Sequence, residues 1–321
     1  VADDGPAAAN ATVLDELLRG STSVLLDPKA IGIDTADDLA RTLDGVHLEI
    51  TSVALLPGPS TPAVAGWLLD RWEADGVAPA DRRGVLGLDP IGVAARHGET
   101  PSWDEALALV DRCGDLPGVL PVVVDATPYA DAGATDARQL GWTTAAGVEA
   151  LRALVDHGLA VDEALARLSF TLSADADQFA TIARMRAARR LWARVAGSSG
   201  ATESSWGQVQ HAMGAASDVT ARDPWTNLLR GTVAAFAAGL GGADAVTVRP
   251  FDSGLGRSDE FGRRTARNTQ LLLLEESSLA AVVDPAGGSW YVEHLTDRLA
   301  EAAWAHLQSV EADGGMAAAL A

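Results

Sequence analysis

A chain of 321 residues is long enough for one large domain or two ordinary ones, and 48% hydrophobic residues supply a sizeable core, which excludes wholesale disorder. The formal net charge of −20 excludes a nucleic-acid surface, which needs basic patches to neutralise phosphate. No apolar run reaches the roughly 18 residues of a membrane span.

Leu14 to Arg19 reads as the end of a helix closed by Gly20. Ser23–Asp27 is an apolar run of strand length. Asp34 or Thr35 caps a short helix through Ala40, ended near Gly45, and His47–Leu56 is a second strand broken by Pro57-Gly58-Pro59. Ser60 or Thr61 with Pro62 starts a helix whose apolar face is Val64, Trp67, Leu68 and Trp72. Gly84–Asp89 is a third strand, Trp103–Val110 a helix, and Val119–Asp125 a fourth strand. Helical periodicity runs from Thr135 to His157 and stops at Gly158. Ser169–Ser173 is a fifth strand, and long helices follow over Asp175–Ala196 and from Asp223-Pro224 to Gly239. Ala245–Pro250 and Ala280–Asp284 are further strands. A final helix carries Leu295, Leu299, Ala302 and His306 at helical spacing.

Strands that are apolar throughout are buried on both faces, and here they alternate with helices along the chain. That pattern predicts a parallel sheet covered by helices. Seven or eight such units favour a closed barrel, and no Gly-rich dinucleotide or phosphate loop follows any strand to argue for an open sheet. The expected fold class is α/β, a (β/α)8 barrel of the TIM type. Its parts are a lead-in helix over residues 1–20, the barrel over 21–312 and the start of a linker over 313–321.

Cys113 is the only cysteine, so an intrachain disulfide and a thiolate metal site are both excluded, and a reducing cytoplasmic compartment is expected. None of the six histidines stands at metal-ligand spacing from another, and no metal site is expected. In a barrel, catalytic groups come from the C-terminal ends of strands. Those positions include Asp27, Asp89, Asp125 and Asp284, which could serve a hydrolase. Followed by Pro28, Pro90 and Pro285, three of them read instead as strand-ending turns. Arg189 falls in the apolar arc of its helix with Ile182, Met185 and Trp192 and needs a carboxylate or carbonyl partner, favouring a structural ion pair over an anion site. Gly287-Gly288 reads as a turn.

Several long stretches in order resemble one family. ARNTQLLLLEES (Ala266–Ser277), VVDPAGGSWYVEHLT (Val282–Thr296) and AWAHLQSVEADGGM (Ala303–Met316) carry the resemblance near the end. QFATIARMRAARRLWARV (Gln178–Val195), DPWTNLLRGTVAAF (Asp223–Phe236), IGIDTADDLARTLDG (Ile31–Gly45) and DAGA (Asp131–Ala134) carry it upstream. All are similar to the barrel domain of methylmalonyl-CoA mutases. The resemblance implies an eight-stranded β/α barrel and isomerisation of acyl-CoA thioesters by adenosylcobalamin radical chemistry, in which the protein supplies cavity, orientation and water exclusion.

The departures from the family pattern are informative. Catalytic members carry a Tyr-His pair after the fourth strand, where this chain reads Thr127-Pro128-Tyr129-Ala130. Their longer segment after the first strand, which supplies a substrate tyrosine, is missing between Asp27 and Ile31. An asparagine and a glutamate that contact the adenosyl group fall at Arg249 and Ser253. Arg96 lies near, but out of register with, a substrate arginine. His211 matches a family histidine, but the arginine two positions before it is Val209. The family threads the pantetheine arm of CoA along a barrel axis lined by small Ser and Thr. Branched residues in SVALL and PVVVD predict a filled axis here. The family's cobalamin-binding motif, Asp-x-His-x-x-Gly, is absent from 1–321.

The resemblance therefore implies the non-catalytic small subunit of a heterodimeric mutase that interconverts (R)-methylmalonyl-CoA and succinyl-CoA. The adenosylcobalamin is expected on the large catalytic subunit, its partner, with none bound by this chain. The sequence reads as a barrel fragment of a longer subunit. Alternatives are an active subunit for a different acyl-CoA, a scaffold outside the mutase, or an unrelated barrel hydrolase using Asp27, Asp89 and Asp125.

Overall fold

The computed structural model describes residues 5–320. Seven strands form one sheet whose order follows the chain, β1 to β7. The chain divides into two compact units, the first running to Val123 together with Asp156–Leu159 and Ala166–Leu168, the second holding the rest.

In the first unit, α1 (Pro6–Leu18) leads into β1 (Ser23–Leu26), the short α2 (Pro28–Ile31) and α3 (Ala36–Thr42). Then come β2 (Ser52–Leu55), α4 (Thr61–Ala74), β3 (Gly84–Leu88), α5 (Pro90–His97), α6 (Asp104–Arg112) and most of β4 (Val119–Asp125). The helix starts are written in the sequence. Asp27 accepts the Ala30 N–H at 3.0 Å, Asp89 accepts that of Gly92 at 2.9 Å, and Thr35 and Asp38 form a reciprocal capping box. The strands β1 to β4 pair in parallel. Val24 and Leu26, Val53 and Leu55, and Leu86 and Leu88 belong to one apolar core with Val64, Leu68 and Trp72 of α4.

The second unit begins at the end of β4 and continues through α7 (Thr127–Asp131), α8 (Asp136–Asp156) and α9 (Val161–Leu165). It holds β5 (Leu168–Ala174) apart from its first residue, then α10 (Gln178–Ser198), β6 (Gln210–Gly214), α11 (Thr226–Leu240), β7 (Ala245–Thr247) and α12 (Glu260–Leu271). A single π-helical turn over Leu272–Glu276 prolongs α12, and α13 (Trp290–Ala312) and α14 (Met316–Leu320) follow. β5, β6 and β7 are parallel neighbours. Their core is rich in alanine, with Ala187, Ala188, Ala212, Ala234, Ala238, Ala300 and Ala303 around Met185 and Leu191. Small side chains let helices approach closely. A Cβ added at Gly141 of α8 would lie 2.5 Å from the Cβ of His306 and 2.7 Å from the Ala303 carbonyl of α13.

The α/β class and the parallel sheet agree with the sequence reading, and seven strands are present among the described residues. Three expectations differ. Residues His47–Thr51 make a turn, with the Thr51 N–H on the His47 carbonyl, so the second strand starts at Ser52. Ala280–Asp284 is not a strand. The loop lies on the outside of the helices, Leu279 against Gly239 of α11 and Asp284 paired with Arg186 of α10, while Val282 and Val283 point to solvent. The strand β6 was not anticipated, because QHAMG lacks an apolar run. A helix, α1, precedes the first strand, and α14 lies within the stretch read as linker.

Candidate functional site

Backbone hydrogen bonds fix which side chains of the second unit share a wall. The Ala126 N–H donates to the Thr171 carbonyl at 2.9 Å. In a parallel pair this sets Asp125 beside Thr171. Thr171 lies beside His211, and Ser173, Met213 and Thr247 lie side by side one step further along the strands. Side chains alternate across a strand, so Phe170, Leu172 and Ala174 turn one way. Leu172 and Ala174 join the helix core. Ser169, Thr171 and Ser173 therefore line the opposite wall, all buried. Asp125, His211 and Thr247 stand on the same wall.

Two local arrangements decide what this wall can do. Asp125 accepts both the Thr127 N–H and the Thr127 hydroxyl at 2.8 Å, which holds the start of α7 against the end of β4. His211 Nε2 lies 2.8 Å from the Thr247 hydroxyl. Burial pushes the His211 pKa below its ordinary value, and the negative charge of Asp125 opposes that shift. His211 is thus neutral near pH 7, with one ring nitrogen bonded to Thr247. The wall offers hydroxyl groups and a neutral imidazole.

Pro128 occupies the first turn of α7, where its missing N–H costs nothing. Tyr129 is buried, its ring edge-on to Trp142 of α8 with centroids 5.8 Å apart. Ala130 carries no functional group. Arg249 directs Nε to the Gly214 carbonyl at 2.6 Å and Nη2 toward the Met213 sulfur at 3.7 Å. Ser253 opens a short 3-10 turn after β7. Arg230, Asn227 and Arg249 line a cleft of about 20 Å³ beside α11, room for roughly a single water. Val209 precedes β6 on the surface, and Arg96 lies exposed in the last turn of α5.

Each of the three aspartates of the hydrolase reading is engaged locally. Asp27 and Asp89 cap helices of the first unit, and Asp125 anchors Thr127 in the second. Among the described residues no group of His, Cys, Asp and Glu is placed to hold a metal ion. Arg189 finds carbonyls rather than a carboxylate, namely Gly241 at 2.5 Å and Gly242 at 3.2 Å, with the Gln210 side-chain oxygen at 2.7 Å. This corrects the expected ion pair. The helix end at Gly241-Gly242 exposes carbonyls that a long cation can reach, and burial draws the Arg189 pKa down.

Sequence reasoning missed Arg184, only 1% exposed. Its Nη1 donates to the Ser173 carbonyl at 2.6 Å, and its Nη2 bridges Asp136 and Asp175 at 2.7 Å each. It fastens the end of β5 to the starts of α8 and α10. The one available signal was its spacing of three from Thr181 on the buried arc of α10.

In β2 the side chains divide between the two walls. Val53 and Leu55 of β2 pack into the helix core, while Ser52 and Ala54 point the other way and are half-buried. Branched residues also stand on the other wall, Leu25 of β1, Val85 of β3 and, two residues before Asp125, the buried Val123 of β4. In β5 of the second unit the wall is hydroxyl-bearing, with Ser169, Thr171 and Ser173.

A family model described as methylmalonyl-CoA mutase matches residues 26–321. The chain belongs to the methylmalonyl-CoA mutase family. It is 52% identical over 317 residues to a methylmalonyl-CoA mutase small subunit of Streptomyces virginiae, covering 98% of this chain and 51% of that protein. It is 42% identical over 312 residues to the methylmalonyl-CoA mutase small subunit of Propionibacterium freudenreichii subsp. shermanii, covering 96% of this chain and 48% of the relative. A methylmalonyl-CoA mutase of Escherichia coli is 32% identical over 297 residues, covering 90% and 42%. The chain spans about half the length of these curated relatives.

Proposed function

We propose that this chain is the barrel portion of the small subunit of a two-subunit methylmalonyl-CoA mutase and that its own contribution is structural. The assembly interconverts (R)-methylmalonyl-CoA and succinyl-CoA. The large subunit carries the catalytic site and the adenosylcobalamin, and the pair works in the cytoplasm. No helix among the described residues is long and apolar enough to cross a membrane. In this reading the seven strands are the greater part of a (β/α)8 barrel spanning residues 21–312, and the residues beyond begin a linker.

The observation that carries the reading is the occupancy of the matched positions. Thr127 holds its hydroxyl on Asp125, Tyr129 packs on Trp142, and Arg249 is bonded to the Gly214 carbonyl. No imidazole stands at 127–130. The adenosyl group of the family is held by an asparagine and a glutamate, and the guanidinium and hydroxyl present at Arg249 and Ser253 do not fit it. Positions 127–130, 249 and 253 are accordingly vestigial.

The test is co-expression of the chain with a mutase large subunit, followed by size and turnover measurements. A complex with turnover, and no turnover by this chain alone with added adenosylcobalamin, is expected. Turnover by this chain alone overturns the reading.

One observation favours a second reading. The wall of Ser169, Thr171, Ser173, His211 and Thr247 keeps the small hydroxyl lining expected of a CoA passage. An active subunit for another acyl-CoA would bind CoA thioesters directly. Calorimetric titration with acetyl-CoA and propionyl-CoA separates the two, since the structural reading expects no heat of binding.

A further inference from the structure

Phe179, in the first turn of α10, stands edge-on to Tyr291 in the first turn of α13, with ring centroids 5.2 Å apart. Beside it Trp290 is 92% exposed, and Val283 in the preceding loop is 96% exposed. Val282 and Tyr291 are also exposed. Scattered apolar residues are normal on any surface, but two aromatics and two valines on one loop and helix start, with a third ring against them, make a patch of the kind that contacts protein. Trp and Tyr are the residues that most often dominate such contacts.

The patch is held in shape. Arg186 of α10 reaches both ends of the loop, pairing with Asp284 next to Val283 and with Glu293 two residues after Tyr291, the latter at 2.7 Å. Glu293 also accepts the Gly288 N–H at 3.0 Å. A fixed surface loses less freedom on binding than a trailing loop. At its edge two carboxylates, Asp284 and Glu293, share the guanidinium of Arg186, within a chain of net charge −20. Two copies of this chain facing each other here would set like charge against like. The complementary surface has an apolar centre and a basic rim.

We propose that Phe179, Val282, Val283, Trp290 and Tyr291 form the docking face for the large subunit, whose contacting surface is apolar at its centre and basic at its rim, and that Arg186 positions this face. The inference rests on the reading that the chain assembles with a large subunit. Wild-type chain, Trp290→Ala, Val283→Lys and Arg186→Ala are titrated with purified large subunit, and each is sedimented alone. Trp290→Ala is expected to weaken assembly by about 10- to 100-fold. Val283→Lys weakens it by setting a positive charge against a basic rim, and wild-type affinity falls as salt rises. Arg186→Ala gives a smaller loss with faster hydrogen exchange over 280–293. Trp290 and Val283 face solvent, so their variants keep the wild-type circular dichroism and melting curve. If the wild type does not bind, the docking face and the heterodimer reading both fall. Binding that none of the three variants weakens overturns the docking face alone. Self-association that Trp290→Ala abolishes assigns the face to a second copy and also overturns the proposal.

Discussion

Strands β1 to β3 of the first unit send Val24, Leu26, Val53, Leu55, Leu86 and Leu88 into a core with α4, and their other wall is half-buried at Leu25, Ser52, Ala54 and Val85. Strand β5 of the second unit is buried on both faces, with Phe170 and Leu172 on one and Ser169, Thr171 and Ser173 on the other. Behind it Arg184 is bonded to two aspartates and a carbonyl, whereas the buried polar groups of the first unit, such as Asp89 and Thr61, serve single helix starts. Apolar burial is non-directional and tolerates volume-conserving exchange. A buried charge cluster tolerates almost nothing, because each member left alone keeps its full desolvation cost. The two units should therefore respond differently to substitutions of similar size.

Arg184→Met is the sharpest way to break that comparison. It keeps bulk and apolar packing but takes the guanidinium from Asp136, from Oδ2 of Asp175 and from the Ser173 carbonyl, Asp175 keeping the Asp177 N–H and the Thr181 hydroxyl on its other oxygen, and is expected to cost about 3–5 kcal/mol in denaturant unfolding. Neutrality of this variant would show that the second unit, too, is held by packing alone. Leu68→Ala, in the core of the first unit, is expected to cost about 2–5 kcal/mol by lost transfer energy and a cavity, whereas Leu68→Met should cost less than about 1.5 kcal/mol. Gly141→Ala tests the close approach of α8 to α13. The helical gain of roughly 1 kcal/mol for alanine is outweighed by the contact with the Ala303 backbone, giving a net loss of about 1–2 kcal/mol in thermal or chemical unfolding.

A smaller effect separates the units by pH. Burial holds the pKa of His211 below its unfolded value of about 6.5. The unfolded chain therefore binds the proton first. The stability contributed by keeping this ring neutral is complete above about pH 6.5 and is lost as the pH falls below it toward the folded pKa. Unfolding curves at pH 7.5 and 5.5 should show a greater loss for wild type than for His211→Asn, and equal losses would remove the histidine from the account. Smallest is Thr35→Ala, which opens the capping box of α3 in the first unit and should cost about 1 kcal/mol without altering pH dependence.

Much of this was legible in the chain itself. The apolar runs at Ser23, Gly84, Val119 and Ser169 gave strands because nothing but burial on two faces suits them. Asp27 and Asp89 before proline gave caps because a side chain three residues away is within reach of the orphan N–H. The motifs from Ile31 to Met316 gave the family. Less legible was the direction of each strand. In SVALL, Val53 and Leu55 pack with α4 while Ser52 and Ala54 face the other way, a division that only the assembled sheet shows. AAVVD had the composition of a strand but lies as a loop across α10 and α11, tied there by Arg186.

The sequence by itself determined the α/β alternation, the helix caps and the family, because these depend on residues within a turn or two of one another. The tertiary structure alone decided that QHAMG is a strand, that Arg184 rather than Arg189 is the buried ion-pair centre, and that Asp125, Thr171, His211 and Thr247 share one wall. Each of those outcomes is set by partners distant in the chain, a sheet neighbour that completes the hydrogen bonds of a polar segment or a carboxylate brought to a buried guanidinium. No local pattern encodes such partners, since their energy exists only once the sheet and its helices have assembled.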